Sequence, residues 1–433
     1  MKPSVNRRDF VKKAGGTVGL CLAAQAAPSI NALGANEKVN LGFIAVGGRN
    51  TDHLRGFQRV GGVNVVAVCD VDQDHLDRGA ELAGGNAKKF KDFRQLLDLK
   101  EIDAVIIAPP DHWHCIPTIM ACQAGKDIYV EKPLGQNIRE ARITVDAVRK
   151  TDRIVQIGLQ HRSGPHFIEA AEIVRSGKLG KITSVHTFNQ WDLVGMGHKG
   201  PDGIGIHPDS DPPAGVDYDF WLGPAPKRPF NVDRFHFSFY FHWDYSSGMM
   251  GAWGVHLFDT VHWMMGTSEL KRVAAAGGQY FFKHKVDTPD TAEAVFDFPG
   301  FTMSYSMRHA NGFPLHGDMD HGIYYFGTEG TLFVNRNLYE YYTEKDRKNP
   351  KVGKVRGMDD QHKQKFLDSI KTRKRTDSDI ESGHLSSITG HLANIAYRTG
   401  RAIRWDSKTE TILDDPEASK LLFREPRAPW KYV

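Results

Sequence analysis

Short apolar runs alternate with amphipathic stretches of helical length between Val39 and Gln160. In the clearest amphipathic stretch, Ile138–Val148, apolar residues recur at intervals of three and four, and Asn137 with Glu140 forms a capping box at its start. Apolar strands separated by helices are typical of a parallel sheet that is covered on both faces. The predicted strands are Val39–Val46, Val63–Cys69, Ala104–Ala108, Ile128–Val130 and Ile154–Leu159.

The composition is that of an ordinary globular protein. The 433 residues are 40% hydrophobic and 25% charged, which is enough material for two domains. A net charge of +4 gives no strong field, so neither nucleic acid nor an anionic membrane is indicated as a partner. Cys69, Cys115 and Cys122 follow the N-terminal segment, and their odd number and spacing argue against a disulfide framework and a zinc site.

The first 35 residues have the features of an export signal. Arg7-Arg8 precedes Phe10 and Lys12, and a weakly apolar stretch from Ala14 to Ala27 ends among small residues. This order resembles a twin-arginine signal, which exports proteins that are already folded. The apolar stretch is shorter than a membrane span. We therefore expect a signal peptide over 1–35 and a periplasmic protein that is not inserted in the membrane after signal removal.

Glycine and acidic residues follow the first two predicted strands. The segment Ala45-Val46-Gly47-Gly48-Arg49-Asn50 is a degraded form of the glycine fingerprint that lets backbone approach a pyrophosphate at a helix N-terminus, although a plain tight turn explains it equally well. Asp70 ends the second strand, and a carboxylate at this position accepts hydrogen bonds from the hydroxyls of an adenosine ribose. Asp72 adds a negative charge that would repel a 2′-phosphate. Together these residues favour NAD over NADP.

Two further motifs follow the next long strands. Ala108-Pro109-Pro110-Asp111-His112-Trp113-His114 follows the strand Ala104–Ala108, and we expect it to pack around the nicotinamide half of a cofactor. Glu131-Lys132-Pro133 ends the next strand, and the proline restricts Lys132 to an extended conformation that points its amine out of the sheet. A surface salt bridge is the plainer interpretation of a Glu-Lys pair. Because the carboxyl ends of parallel strands share one edge, we expect these motifs to converge.

This ordered set of motifs resembles the glucose–fructose oxidoreductase / inositol dehydrogenase / MocA (Gfo/Idh/MocA) family. The resemblance continues through Trp221–Pro226, Trp243–Gly248, Trp253–His256 and the region His384–Trp405, so it covers nearly the whole chain beyond the signal. It implies an α/β fold with an NAD-binding Rossmann domain over 36–160. It also implies a C-terminal α/β domain over 161–433 with a large open, predominantly antiparallel sheet, whose last helices can pack back on the Rossmann domain. Such a sheet would mediate a homo-oligomer, either a dimer or a tetramer.

The resemblance also assigns catalytic roles. Lys132 would contact the substrate hydroxyl and the nicotinamide ribose, and His256 would be the base that removes the hydroxyl proton, a task that suits a near-neutral pKa. A buried structural histidine is the alternative for His256. Many family members carry an aspartate four residues before the histidine, where this chain has Ala252. We expect Asp259, one helical turn further on, or Asp244 to replace that carboxylate.

The remaining candidate site residues fall into two groups. The predicted cofactor contacts are Ala45, Gly47, Gly48, Arg49, Asn50, Asp70, Pro109, Asp111, His112, His114, Glu131 and Lys132. The predicted substrate contacts are Lys132, Arg162, His256 and Trp243, the last from an aromatic segment, Phe235–Trp243, that can stack on a sugar or pack in the core. The long stretch from Trp191 to Phe220 is typical of a lid or substrate loop. Its residues His198, His207 and Asp209 lack the spacing of a metal site, and we expect no metal.

The sequence supports one main function and leaves two alternatives open. The main prediction is an exported NAD-dependent oxidoreductase that acts on a hydroxyl or carbonyl of a carbohydrate or cyclic polyol and keeps its NAD tightly bound. The first alternative is a redox-neutral, NAD-dependent glycoside hydrolase or lyase that works by transient ring oxidation and elimination. The second is a cofactor-bound protein without turnover, which the presence of Lys132 and His256 disfavours.

Overall fold

The structure is a computed structural model that describes residues 38–193, 207–282 and 286–432. The predicted signal peptide, including Arg7-Arg8, lies outside the described residues, as does His198. No helix in the described ranges is long and apolar enough to cross a membrane. The three cysteines in these ranges are buried and form no disulfide.

The N-terminal half is built on a six-stranded parallel sheet with the order β3-β2-β1-β4-β5-β6. The predicted strands are confirmed, with ends that differ by at most two residues. The sequence pattern missed β3 because it has three residues, two of which are exposed lysines. The strands are β1 (Val39–Ile44), β2 (Val63–Cys69), β3 (Lys88–Phe90), β4 (Ala104–Ile107), β5 (Asp127–Val130) and β6 (Val155–Ile157).

Helices cover this sheet and connect its strands. They are α1 (Gly48–Val60), α2 (Gln73–Leu82), α3 (Phe93–Leu97), α4 (Cys115–Gln123) and α5 (Ile138–Arg149). The predicted capping box is present at the start of α5, where the Asn137 side chain accepts from the Glu140 amide and the Glu140 carboxylate accepts from the Asn137 amide. From β1 the chain first adds strands on one side of the sheet (β2, β3) and then on the other side (β4, β5, β6). Doubly wound sheets bind ligands at such a switch point.

The C-terminal half is built on a ten-stranded sheet, in which β7 and β10 run parallel and every other neighbouring pair is antiparallel. This confirms the predicted large, open and predominantly antiparallel sheet. Its order is β14-β13-β12-β11-β7-β10-β9-β8-β15-β16. The strands are β7 (Ile182–Gln190), β8 (Arg272–Gly278), β9 (Thr291–Phe298), β10 (Phe301–Arg308), β11 (His321–Gly327), β12 (Gly330–Val334), β13 (Leu338–Thr343), β14 (Asp346–Lys354), β15 (Ile403–Asp406) and β16 (Thr411–Leu413).

The helices of the C-terminal half are α6 (Pro165–Arg175), α7 (Tyr218–Leu222), α8 (Gly248–Ala252), α9 (Gly254–Met265), α10 (Asp359–Thr372), α11 (Ile380–Thr399) and α12 (Pro416–Ser419). Helices α6, α9 and α11 bury their apolar residues in one core with the ten-stranded sheet. Helix α10 instead packs on the N-terminal half, where Phe366 lies edge-on to Phe57 and Tyr129 at 6.2 and 5.8 Å between ring centroids. This packing joins the two halves.

Candidate active site

A cavity of about 530 Å³ lies at the carboxyl ends of β1, β2, β4 and β5. One wall belongs to the Rossmann half and the other to the C-terminal half. The Rossmann wall includes Ala45, Gly47, Gly48, Arg49, Asp70, His75, Lys91, Pro109, Asp111, His114, Glu131 and Lys132. The C-terminal wall includes Phe220, Trp221, His236, Phe237, Tyr240, Trp253, His256 and Arg336, and Gln160 lines the cavity at the boundary between the two halves. The predicted convergence of the strand-end motifs is therefore seen in the structure.

The turn after β1 leaves the start of α1 open towards the cavity. Ala45 stands where the family fingerprint has a glycine and adopts a left-handed conformation, with φ at 63°. Gly47 precedes α1 without any side-chain cap, so the first amides of the helix have no side-chain partner there. A Cβ atom on Gly48 would meet nothing within 4 Å. Open backbone at a helix N-terminus fits a pyrophosphate.

Asp70 lies at the end of β2, as predicted, and lines the cavity. Its Oδ2 accepts from the Val46 amide and its Oδ1 from the Asp72 amide, at 2.8 and 2.9 Å. Each carboxylate oxygen can accept a second hydrogen bond, so the group fixed by these amides is available to ribose hydroxyls. The glycine turn and Asp70 together fit the adenosine and pyrophosphate parts of NAD.

Arg49, Glu131 and His53 form a buried network under the cavity. Arg49 Nε donates to Glu131 Oε1 at 3.1 Å, and His53 Nε2 contacts the same oxygen at 2.7 Å. Burial alone would raise the pKa of Glu131, but Arg49 and His53 outweigh it and hold the pKa well below its usual value. Arg49 also pairs with Asp359 of α10 at 3.2 Å. Both predicted cofactor residues line the cavity, and their charges already compensate each other.

Two predicted cofactor residues do not line the cavity. The Asn50 amide donates to the carbonyl oxygens of Ile44 and Ile106 at 2.9 and 3.2 Å, so it braces strands β1 and β4. His112 is buried, and its Nε2 lies 3.1 Å from the carbonyl oxygen of Trp221. Burial lowers the pKa of His112 to about 3, so it is a neutral core residue. Both side chains turn away from the cavity, so their roles as cofactor contacts stay predictions that the geometry does not support.

Asp111, Pro109 and His114 do line the cavity. Asp111 Oδ2 accepts from the Ser246 hydroxyl at 2.6 Å. Burial raises the pKa of Asp111, while His114 and Lys132 oppose the shift. His114 is fixed between the carbonyl oxygens of Pro133 and Pro109, which lie 2.7 and 2.9 Å from its two ring nitrogens. This segment therefore presents one carboxyl group close to Lys132.

Lys132 projects from the end of β5 into the cavity, as predicted. Its Nζ donates to the carbonyl oxygen of Ala252 at 2.9 Å, which orients the amine against the C-terminal wall. Burial lowers the pKa of Lys132, and the nearby Glu131 and Asp111 carboxylates oppose this shift. An ammonium held in this way can donate a further hydrogen bond to a substrate oxygen.

His256 lies in the first turn of α9 and lines the same cavity. Its ring stacks on His161 at 5.2 Å between centroids. Burial lowers the pKa of His256 well below 6.5, and the cations Arg336 and Lys132 lower it further. Its Nδ1 is buried without a hydrogen-bond partner among the described residues. The ring is therefore neutral and able to accept a proton.

The carboxylates predicted to support His256 are used elsewhere. Asp259 accepts from Arg162 Nε and Nη2, both at 2.8 Å, and its Oδ1 also accepts from Ser386 at 2.8 Å. Asp244 pairs with Arg228 at 2.8 Å. Asp259, Asp244 and Arg162 are each held in an ion pair and none of them lines the cavity, so the roles of Asp259 and Asp244 beside His256, and of Arg162 as a substrate contact, stay predictions that these contacts do not support.

Trp243 was the other predicted substrate contact, and it does not line the cavity. The Arg398 guanidinium lies over its ring at 5.3 Å, and its carbonyl oxygen accepts from Gln136. From the same aromatic segment, Phe237 and Tyr240 reach the cavity. The aromatic composition pointed to the right segment and to the wrong ring.

Several cavity residues were not predicted as site residues, notably Arg336, Tyr240, Trp253, Gln160 and His236. Arg336 stands in the turn between β12 and β13, far along the chain from every strand-end motif. No spacing signal in the sequence connects such positions. The turn between β12 and β13 brings Arg336 to the cavity, the segment before α9 brings His236, Tyr240 and Trp253, and Gln160 follows β6.

Segments of the C-terminal half cover the cavity beside Asp70. Asp72 forms an antiparallel bridge with Val216, and the Gln73 amide donates to the Gly215 carbonyl oxygen at 3.2 Å. His236 Nε2 lies 3.0 Å from Asp72 Oδ2. The adenosine end is thereby closed by contacts between the two walls.

One group of side chains in the described ranges has the spacing of a metal site: Asp72, His75 and His236. Their ligand atoms all lie within 4.8 Å of one another. Asp72 already caps α2 by accepting from the Asp74 amide, and its other oxygen contacts His236. These contacts explain the cluster without an ion. His207 was also considered as a metal ligand in the sequence analysis, and its Nδ1 lies 2.8 Å from Asp233 Oδ1.

Curated relatives match parts of this chain. An inositol 2-dehydrogenase of Salmonella paratyphi B is 31% identical over 147 residues, which is 34% of this chain and 44% of that protein. A glycosyl hydrolase family 109 protein of Shewanella sp. (strain MR-4) is 27% identical over 226 residues, which is 45% of this chain and 49% of that protein. An alpha-N-acetylgalactosaminidase of Shewanella oneidensis is 27% identical over 229 residues, with the same shares. The matches thus span about half the length of these relatives.

Solved structures share the fold over most of the chain. Levoglucosan dehydrogenase in complex with NADH and L-sorbose has a TM-score of 0.67 at 17% identity, covering 85% of this chain and 99% of that one. The WlbA dehydrogenase of Bordetella pertussis, in complex with NADH and UDP-GlcNAcA, has a TM-score of 0.64 at 16% identity, covering 86% and 99%. At these identities the likeness establishes the fold alone.

Two family models match nearly all of the described chain. Residues 39–159 match the NAD-binding Rossmann fold of the oxidoreductase family, and residues 170–432 match the C-terminal alpha/beta domain of the same family. The second match alone covers more than half of the sequence. The chain therefore belongs to the GFO/IDH/MocA oxidoreductase family and carries its NAD-binding Rossmann domain.

Proposed function

We propose that this protein is an exported NAD-dependent oxidoreductase that acts on a hydroxyl or carbonyl group of a carbohydrate or cyclic polyol and keeps its NAD tightly bound. The observation that carries the proposal is the placement of Lys132 and His256 in one cavity with the glycine turn and Asp70. The relatives include an inositol 2-dehydrogenase and an alpha-N-acetylgalactosaminidase, which supports the substrate class.

NAD, when bound, supplies a hydride acceptor. The protein supplies the proton chemistry and the orientation of the substrate. His256 lines the cavity with a pKa lowered well below 6.5, so its neutral ring takes the proton that leaves the substrate hydroxyl. The Lys132 ammonium, held by the Ala252 carbonyl, stabilises the negative charge that develops on the oxygen. Trp253 and Tyr240 border the same space and exclude water from it.

Tight retention of NAD is supported by the closed adenosine end. The Gly215 carbonyl oxygen accepts from the Gln73 amide and from Lys91 Nζ, at 3.2 and 2.6 Å, and the Asp217 amide donates to the Val71 carbonyl oxygen at 3.0 Å. The His236–Asp72 contact adds a side-chain link. Release of the cofactor requires these contacts between the two halves to break, which slows exchange.

Export is proposed from the sequence of residues 1–35, chiefly Arg7-Arg8. A nicotinamide-dependent protein outside the cytoplasm has no free pool of the cofactor to draw on. Retention therefore agrees with export, because the protein would fold around NAD before leaving the cytoplasm.

A second candidate is the redox-neutral glycoside hydrolase or lyase. It is favoured by the family 109 glycosidase relatives, which match more of this chain than the inositol dehydrogenase does, 45% against 34%. The same Lys132 and His256 would serve it, so the geometry of these two residues does not separate the two activities.

The experiment begins with mass spectrometry of the small molecule released from the purified, full-length protein. The NAD-loaded protein is then incubated with free sugars, cyclic polyols and aryl glycosides, with and without added NAD. The dehydrogenase predicts reduced NAD in proportion to the oxidised sugar. Release of the aglycone without net reduced NAD would establish the glycosidase instead, and the absence of any bound nicotinamide would contradict both.

A further inference from the structure

Arg336 stands apart from the other cations of the cavity. Arg49 pairs with Glu131 and Asp359, Lys91 donates to two backbone carbonyl oxygens, and Lys132 donates to the Ala252 carbonyl oxygen. Arg336 forms no ion pair with any carboxylate in residues 38–193, 207–282 and 286–432. Of the two arginines that line the cavity, Arg49 is paired with carboxylates and Arg336 is not paired with any carboxylate of the described residues.

The surroundings of Arg336 fix its orientation without neutralising it. Nε donates to His161 Nε2 at 3.0 Å, and the guanidinium lies over the Trp253 ring at 5.1 Å. His161 is held in turn by the Thr260 hydroxyl, 3.0 Å from its Nδ1. A guanidinium held by its Nε and one face keeps both terminal amino groups for a ligand.

The carboxyl groups at this end of the cavity have other partners. Glu131 and Asp359 both pair with Arg49, and Asp111 accepts from the Ser246 hydroxyl, while its pKa is raised by burial. Burial also lowers the pKa of Arg336, with Asp359 opposing, because the half-buried charge lacks full compensation. An unpaired guanidinium away from bulk water is stabilised by a planar anion that binds both amino groups.

The geometry points to a carboxylate subsite: Arg336 binds the carboxylate of a sugar acid, such as a hexuronic acid, while Lys132 and His256 act on a hydroxyl of the same ring. This inference rests on the proposed function and narrows its substrate class. The pyrophosphate of NAD is the competing anion. It fits the start of α1, where Gly48 offers open backbone, whereas the contacts of Arg336 are with His161 and Trp253 of the opposite wall.

The test compares each hexuronic acid with its neutral hexose, using glucuronate with glucose and galacturonate with galactose. Calorimetric binding to the NAD-loaded protein and the rate of reduction of bound NAD are both measured. The wild type is expected to bind a uronate about 10- to 100-fold more tightly than the matching hexose, as charge-assisted bidentate hydrogen bonds allow. Arg336→Gln should lose this preference, and Arg336→Lys should keep part of it.

Arg398→Gln is the matched control, since Arg398 also lies over a tryptophan, Trp243, and neither residue lines the cavity. It should keep the preference for uronates, and melting temperatures verify that each variant is folded. Equal binding of uronates and hexoses by the wild type would overturn the inference. So would loss of NAD, rather than loss of uronate affinity, from Arg336→Gln. If uronates bind in a way that depends on Arg336 but do not reduce NAD, the carboxylate subsite is supported and the proposed oxidation is refuted.

Discussion

The two walls of the cavity differ in how completely their polar groups are satisfied. On the Rossmann wall, Asp70 accepts from two backbone amides, and Arg49 and Glu131 neutralise each other. On the C-terminal wall, His256 Nδ1 has no partner and Arg336 has no carboxylate among the described residues. The paired groups of the Rossmann wall leave the start of α1 open, and this open backbone fits a pyrophosphate. The Arg336 guanidinium of the C-terminal wall remains for a ligand, so we propose that the substrate binds against that wall and that Lys132 reaches it from the Rossmann wall.

The largest effect is expected from Lys132→Ala, which removes the ammonium at the junction of the two walls. We expect the rate of NAD reduction to fall about 10³-fold, because proton transfer and stabilisation of the oxygen charge both depend on this residue. The bound NAD measured by mass spectrometry should be unchanged, since the Asp70 and Gly48 contacts remain. Loss of NAD along with activity would show that Lys132 is needed to bind the cofactor, and not only to act on the substrate.

Asp259→Asn tests a charged pair that lies behind the C-terminal wall. The Arg162 and Asp259 side chains are 11% and 1% exposed, so breaking the pair leaves an uncompensated buried charge and should cost about 3–5 kcal/mol of unfolding free energy. Urea denaturation measures this loss. Activity per folded molecule should stay within about tenfold of the wild type. Full stability with activity abolished would restore Asp259 as the catalytic partner that the sequence predicted.

His236→Ala tests the closure of the adenosine end. Removing the His236–Asp72 contact, 3.0 Å long, should speed the release of NAD about tenfold, in line with the loss of one charge-assisted hydrogen bond. The release rate is followed by trapping free NAD with a coupled dehydrogenase. His186→Ala, in β7 and away from the cavity, is the matched control. An unchanged release rate in the His236 variant would show that the cover does not retain the cofactor.

The smallest effect concerns the pH profile. Burial, Arg336 and Lys132 lower the pKa of His256 well below 6.5, so the neutral base is fully present at pH 6.5 and is lost only as the pH falls further. The acid limb of kcat/KM should therefore lie below pH 6.5, and Arg336→Gln should move it to higher pH. A limb at or above pH 6.5 in the wild type would show that another group is the base.

The sequence was enough to predict which residues lie on the Rossmann wall, because the carboxyl ends of parallel strands all lie at one edge of the sheet. Asp70, Asp111 and Lys132 follow from that rule without any knowledge of side-chain packing. The rule places a residue near the edge, but it does not say which way the side chain turns. For this reason the sequence did not show that the side chains of Asn50 and His112 bond to backbone carbonyl oxygens and do not line the cavity.

The C-terminal wall was less predictable because distant segments build it. Arg162 and Asp259 looked like site residues until the fold paired them with each other, and Arg336 had no motif to mark it. Helical spacing placed Asp259 one turn from His256, but the bidentate contact with Arg162 takes up its carboxylate. Ala252, read as a missing carboxylate, contributes its backbone carbonyl to Lys132 instead.

The most direct test of a shared catalytic cavity is rapid mixing of the purified, NAD-loaded protein with sugars, sugar acids and cyclic polyols. The absorbance of reduced NAD is followed through a single turnover in the wild type and in Lys132→Ala. We predict that reduced NAD appears in the wild type with at least one substrate and that its formation is about 10³-fold slower in the variant at equal cofactor content. Reduction at the same rate in both proteins, or no reduction of bound NAD in the wild type by any of these compounds, would contradict the assignment.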